Sequence, residues 1–353
     1  MSNYYSKTIY SNKNFNIIKR DGAIIIESKV DNNLIISSWL NAGYQENMTH
    51  IVNQSIEGND YNDIEHKGYL EFQKNYMKHL GLNPETSTGL ITSACMDNYA
   101  ISTKTYKELQ VTTIVTAGAD KNGVKAGDPA SFYEYNNKYY LDIGTINIIT
   151  IVNCNLEPGA LVTGIITATE AKTSILEDLK LESQYSTNIA TGTGTDGICI
   201  ISNKSSDNHI ENAGKHSKLG ELIAKSVQEA TRKALYLQTA MSTEYQKTIL
   251  SRLSRFNIYF DTLFDKTENI SRTEYATLFY EFNNNSEKIA LISCLINLID
   301  EVQVGLLELN DIKVPATQLF NTLFNKESDY TFNSIDDIFD CLISSINNYI
   351  IKK

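Results

Sequence analysis

The stretch TINIITIVN, residues 145–153, is apolar on both of its alternating sets, with Ile146, Ile148 and Val152 on one side and Ile149 and Ile151 on the other. Such a run, rich in β-branched side chains, reads as a strand covered on both faces. Other β-branched runs flank it in the chain: AIIIESKV (23–30), NLIISSWL (33–40), QVTTIVTAG (110–118) and GICIIS (197–202). Helical periodicity separates them, at about 61–80, about 88–101 and 159–179. A further helix starts after Ser217, a plausible N-cap, with Leu219, Leu222, Ile223, Val227 and Ala230 on one face. Seventeen of the 18 glycines lie at or before Gly220, so the turn-rich part of the chain ends there. Beyond it run apolar repeats at i, i+3 and i+4, in 245–264, 274–282, 288–309 and 334–350. The expected fold class is therefore α+β, a mixed sheet with packed helices over 1–242, followed by an all-α unit over 243–353. The tyrosines and phenylalanines at 255–282 are read as the core of that unit or as contacts for a large flat ligand.

Composition narrows the function. With 42% apolar and 21% charged residues, the chain is that of a globular protein rather than a disordered one. The polar N-terminus lacks a signal-peptide core and no apolar run is long enough to span a membrane, so a cytoplasmic location is expected. A net charge of −11 without a basic stripe argues against a nucleic-acid partner. The five cysteines contain no CxxC, and the five histidines form no HExxH or comparable pair, so neither a disulfide framework nor a metal site is expected. The sequence carries no reading of oligomeric state.

Chemistry concentrates in five segments rich in Gly, Thr and other small residues: 115–130, 144–161, 167–176, 189–200 and 213–223. Each places small residues and hydroxyls at a strand end or a helix start, where backbone N–H groups and short side chains face a ligand. They are expected to meet in one cleft.

These segments resemble the adenosylcobinamide amidohydrolases of corrinoid salvage. The resemblance rests on Thr116–Gly118 with Ala126–Ala130 (TAG and AGDPA), Gly144–Ile148 (GTINI), Ala168–Thr173 (ATEAKT), Ala190–Gly197 (ATGTGTDG) and Ala213–Gly220 (AGKHSKLG). Upstream, Trp39–Gly43 (WLNAG) and Ile51–Asn53 (IVN) join them, so it spans roughly 15–240 and leaves 243–353 unmatched. It implies hydrolysis of the amide that joins aminopropanol, or its phosphate, to the corrin ring, giving adenosylcobyric acid. The corrinoid, with its cobalt, is the substrate, and no further cofactor is expected. A competing reading is a non-catalytic corrinoid-binding or sensing module whose helical part tethers a partner. Corrinoid carriers that replace a cobalt ligand use D-x-H-x-x-G, which no histidine here fits.

Amide hydrolysis needs an activated nucleophile, oxyanion stabilisation and protonation of the leaving amine. No G-x-S-x-G elbow is present, and Cys154 and Cys199 sit in strand patterns as small apolar filler. Hydroxyls at Thr145, Thr191, Thr193 and Thr195 are candidate nucleophiles, as is a water activated by a base. The catalytic candidates are Asp128, Glu170, Lys172, Asp196 and His216. Asp128 precedes Pro129, Asp196 closes the Gly/Thr run, and His216 lies at a helix start, where the dipole disfavours its cationic form. On helix 159–179 Lys172 falls in the middle of the apolar stripe and Glu170 on the opposite face. A lysine there either snorkels or meets an anionic partner, and burial with a carboxylate is expected, with Asp196 the first choice and Asp128 the second. Asn53, Thr116, Thr145, Asn147, Thr191, Thr193, Thr195, Lys215 and Lys218 are expected to contact substrate. GKHSKLG lacks the P-loop pattern, so nucleotide hydrolysis is rejected, while a substrate phosphate at that helix start is compatible with it.

Overall fold

The structure, a computed structural model, describes residues 6–130, 133 and 145–351. Gly144 and both chain ends lie outside the described residues. Two compact units divide the chain, Met1–Ser242 and Thr243–Lys353.

In the first unit the strands are β1 (Lys7–Ser11), β2 (Phe15–Arg20), β3 (Ala23–Ser28), β4 (Asn32–Ile36), β5 (Gly43–Glu46), β6 (His50–Ser55), β7 (Ser87–Thr92), β8 (Ala100–Tyr106), β9 (Leu109–Ala117), β10 (Gly123–Val124), β11 (Ile146–Val152), β12 (Asn155–Leu156), β13 (Gly192–Thr193), β14 (Gly197–Asn203) and β15 (His209–Ile210). The helices are α1 (Asp60–His79), α2 (Pro158–Asp178) and α3 (Lys218–Thr239). Five strands form one sheet in the order β1-β2-β3-β6-β7, and six form another in the order β5-β4-β14-β11-β9-β8.

Alternation along the strands stacks these elements into four layers. Ile149 and Ile151 of β11 meet Ile17, Ile24, Ile26 and Ile51 of the five-stranded sheet, so one side of the central strand faces the other sheet. Its opposite set, Ile146, Ile148 and Val152, packs under Leu161, Ala168 and Ile175 of α2 and Leu222, Ile223 and Val227 of α3. The outer face of the five-stranded sheet, with Ala23, Ile25 and Val52, carries Met77 and Tyr76 of α1. Each fully buried Ile or Leu in these layers contributes roughly 1.5–3 kcal/mol.

The stretch 88–101, expected to be helical, is instead β7, a turn and the start of β8. Its Thr88, Ile91 and Thr92 favour extended backbone, and β7 pairs in parallel with β6. A Cβ at Gly89 would fall on the carbonyl of Val52, so only glycine lets the two strands approach at that point. The helix expected after Ser217 forms as α3, and the Ser217 Oγ accepts the N–H of Gly220 at 2.9 Å.

The second unit is helical in its described residues: α4 (Ile249–Leu253), α5 (Phe260–Phe264), α6 (Arg272–Asn283), α7 (Ser286–Gln303), α8 (Leu309–Phe324) and α9 (Ile335–Ile351). Its own core takes Tyr275, Phe279 and Phe282, with Phe256, Phe260 and Phe264 packed against it. Those aromatics are therefore spent on packing, and Tyr259 and Tyr280 stay exposed. No described helix is long and apolar enough to cross a membrane.

Candidate active site at one end of the six-stranded sheet

β11 and β14 run parallel with Asn147 opposite Gly197, so the residues that lead into them lie side by side. Thr145 and Ile146 thus stand next to Thr195 and Asp196. The connection between the strands carries α2, whose later turns come back to the same end. That return brings Lys172 to Asp196.

Lys172 is 5% exposed, and its Nζ donates to Asp196 Oδ2. The other carboxylate oxygen, Oδ1, accepts from the Thr193 hydroxyl at 2.6 Å, the Thr193 N–H at 3.1 Å and the Ile146 N–H at 3.2 Å. Oδ1 thus serves three donors and Oδ2 the ammonium. Asp196 is a clamp that fixes the ammonium and ties β11 to the Gly/Thr loop. An ammonium left alone at this depth would cost several kcal/mol. Gly192 lies against the pair, where a Cβ would fall on Asp196 Oδ2 and 2.6 Å from Lys172 Nζ.

On the other face of the sheet, between the layers, lies a second polar group. Asn147 Nδ2 donates to Asn53 Oδ1 at 2.8 Å and to the Ile91 carbonyl at 3.0 Å. Asn53 Nδ2 donates to Thr116 Oγ1 at 2.9 Å. All three side chains are buried, and Asn147 Oδ1 has no partner among the described residues. Leaving such an acceptor unpaired costs about 1–3 kcal/mol. A Cβ at Gly197 would lie 2.5 Å from that oxygen. Thr145 Oγ1, also buried, donates to the Thr195 carbonyl at 3.0 Å and shares a hydrogen bond with the Thr195 hydroxyl.

The remaining candidates divide between loop and surface. Thr191 Oγ1 accepts the Ala126 N–H at 2.8 Å, and its carbonyl accepts the Thr173 hydroxyl at 2.8 Å. Asp128 accepts the Ser183 hydroxyl at 2.6 Å and the Lys125 N–H at 3.0 Å. Burial pushes its carboxyl up, but the hydrogen bonds from Ser183, Ser186 and Lys125 outweigh it and hold the group below the usual aspartate value. Glu170 sits on the solvent face of α2 and pairs with Lys215, both exposed. Lys218 pairs with Glu221 and lies over the Tyr106 ring, 4.6 Å from its centroid. His216 is exposed at the start of α3 and makes no hydrogen bond among the described residues.

Hydrogen bonds link three of the other Gly/Thr-rich segments to 190–196, and the fifth, 213–223, joins through Thr167. Val124 pairs with Gly192, Ile146 with Asp196, Lys172 with Asp196, and the Thr167 hydroxyl donates to the Ala213 carbonyl at 2.9 Å. Of the charged candidates, only Lys172 and Asp196 form one buried group. The sequence reading missed Gly192 and Ser183, whose partners lie 4 to 55 positions away. A Gly directly between hydroxyl residues near a buried lysine was the available signal. Burial pushes the Cys154 thiol up to about 11 and raises Cys199 as well, as suits apolar filler. No three His, Cys, Asp or Glu side chains gather as a metal-ligating group among the described residues.

Residues 6–243 match the model of a family described as adenosylcobinamide amidohydrolase. An uncharacterized protein of Methanocaldococcus jannaschii is 36% identical over 182 residues, covering 48% of this chain and 71% of that protein. Among solved structures, a protein from Pyrococcus horikoshii OT3 aligns over 65% of this chain and 83% of its own, at 11% identity and a TM-score of 0.31. The L-aminopeptidase D-Ala-esterase/amidase from Ochrobactrum anthropi aligns over 65% and 81%, at 11% identity and a TM-score of 0.33.

Proposed function

The chain belongs to the adenosylcobinamide amidohydrolase family, and from that premise we propose that its first unit hydrolyses the amide joining aminopropanol, or its phosphate, to the corrin ring of adenosylcobinamide. Water is the co-reactant: the C–N bond breaks, hydroxide is added at the carbonyl carbon and the amine leaves with a proton. The product, adenosylcobyric acid, returns to cobalamin assembly. The cobalt belongs to the substrate, and the reaction draws on no other cofactor.

The observation that carries this reading is the Lys172–Asp196 pair, buried where the family's Gly/Thr segments meet. A fixed ammonium in a site of low dielectric is suited to the oxyanion of a tetrahedral intermediate, because it needs no reorganisation as charge develops. Asp196 holds it in place. Of the nucleophile candidates, the Thr193 hydroxyl touches the pair directly through Asp196 Oδ1, and the Thr145 and Thr195 hydroxyls bond to each other on the same loop. Thr191 and Thr193 belong to the loop beside the pair, while Asn53, Thr116 and Asn147 are buried between the sheets and brace that end from within. For a phosphorylated substrate, Lys215 and Lys218, exposed around the start of α3, would exchange Glu170 and Glu221 for the phosphate.

Incubation of the purified chain with adenosylcobinamide, followed by chromatography, tests the proposal. Adenosylcobyric acid and aminopropanol should appear in equal amounts. Tight binding with no product would favour the binding module instead.

A further inference from the structure

The chain has a single tryptophan, Trp39. It is 48% exposed, and its ring stacks on Tyr69 with centroids 4.0 Å apart and planes 8° from parallel. Hydrogen bonds from both sides fix the backbone around it. Leu40 N–H donates to Gln73 Oε1 at 2.9 Å, and the Leu40 carbonyl accepts the Thr88 hydroxyl at 2.6 Å. Ser38 Oγ donates to the Gly89 carbonyl at 2.6 Å, while Asn41 Nδ2 donates to the Pro84 and Ser87 carbonyls at 2.8 and 2.7 Å. Opposite, α1 is interrupted at Gly68 (φ 77°, ψ 159°), directly before Tyr69. A conformation that L side chains rarely adopt thus sets the ring beneath the indole.

The stack follows the end of β4 that lies beside the start of β14. Beyond the end of β4, the Ser37 N–H still donates to the Ile198 carbonyl at 3.0 Å, and the Ile198 N–H donates to Ser37 Oγ at 2.9 Å. Asp196 directly precedes β14 and Trp39 follows the end of β4, two strands that pair antiparallel. Trp39 therefore leaves the sheet at the end where Asp196 enters it. Tyr69 covers one face of the indole and nearly half of the residue remains open.

A rigid indole held in this way binds a flat ligand with little ordering cost, and offset stacking on a conjugated ring is its favoured contact. We propose that Trp39 is a substrate-binding residue whose open face stacks on a planar conjugated ring of the substrate, at the end of the sheet where Asp196 enters β14. This rests on the amidohydrolase reading, whose substrate offers two such surfaces, the corrin ring system and the adenine of the adenosyl group.

The test compares the native chain with Trp39→Leu and Trp39→Phe. KM and kcat are measured for adenosylcobinamide, and Kd by equilibrium dialysis for cyanocobinamide, which lacks adenine. Trp39→Leu should raise KM about 10-fold or more with kcat within about twofold, and Trp39→Phe should keep most of the affinity; stacking losses of this size are typical of aromatic platforms. A Kd for cyanocobinamide that rises in parallel identifies the corrin ring as the partner, and an unchanged one identifies adenine. If Trp39→Leu does not fold, alkylation of the native tryptophan by 2-hydroxy-5-nitrobenzyl bromide replaces it, and adenosylcobinamide should slow that reaction several-fold. Unchanged KM and Kd in a folded variant, or an unprotected tryptophan, overturns the proposal while turnover by the native chain stands. A native chain that neither binds nor cleaves adenosylcobinamide overturns the amidohydrolase reading and this inference with it.

Discussion

At Lys172, one hydrogen-bonded charge carries both stability and the proposed chemistry, and substitution separates the two. If the ammonium stabilises the oxyanion, Lys172→Met should lower turnover by ~10²-fold or more, the scale of losing one oxyanion donor. The variant should remain folded, although Asp196 then keeps only its backbone and Thr193 donors. Near-native turnover, with any change confined to the melting temperature, would remove Lys172 from the chemistry. Gly192→Ala is a sharper probe because it alters no charge. The added methyl collides with Asp196 Oδ2 and Lys172 Nζ, so activity should fall as far as in Lys172→Met while circular dichroism stays native. A fully active Gly192→Ala would show that the position of the pair is immaterial. The sequence allowed the Lys172–Asp196 pairing to be anticipated, because a lysine inside an apolar helical stripe has few ways to be satisfied and Asp196 is 24 positions away. The Asn53–Thr116–Asn147 group was legible only as separate residues. Its members are 63 and 94 positions apart, and their contact exists only once two sheets are stacked.

At the level of single elements, α1 shows how a helix is fastened by one side chain. The Tyr76 hydroxyl donates to the Asp21 carbonyl at 2.5 Å, and burial, with Asp21 and Asp60 nearby, pushes its phenol up to about 12. The phenol is protonated in both states below pH ~10, so this contribution is intact there. Between pH ~10 and ~12 the unfolded chain loses the proton while the folded one retains it, so stability falls as pH rises, by about 3 kcal/mol in all. Tyr76→Phe should be less stable than the native chain at pH 8, and urea midpoints should show that gap closing at pH 11. A gap that stays constant would mean the phenol is not held as the structure has it. The same scale explains what the sequence disclosed about elements. Strands 145–153 and 197–202 announce themselves through β-branched residues on both faces, and α3 through its Ser217 cap. Residues 88–101 do not, since Leu90, Ile91 and Ala94 fit a helical stripe equally well. What decides there is the parallel partner β6, more than 30 positions earlier, and the backbone approach that Gly89 permits.

Over the whole molecule, burial sorts the five thiols. Cys95 and Cys294 are exposed, Cys341 is half-buried, and Cys154 and Cys199 lie in the interior. With Ellman's reagent at pH 8, Cys95 and Cys294 should react fast and Cys341 slowly, its thiol raised by burial and by Asp337 and Asp340. Cys154 and Cys199 should react only after unfolding, and rapid modification of either in the native protein would contradict the layering described above. That layering also has a consequence for synthesis on the ribosome. The Ser37–Ile198 contact joins residues 161 positions apart, so the β4–β5 hairpin emerges long before its sheet neighbour β14. At ordinary elongation rates the wait is roughly 10–30 s, during which a strand edge stands open to any nascent partner. Lys172 likewise emerges 24 residues ahead of Asp196, a delay of roughly 1–5 s. Until that aspartate arrives, seating α2 would bury a bare ammonium, so translation itself sets the order in which the helix docks and the sheet end closes.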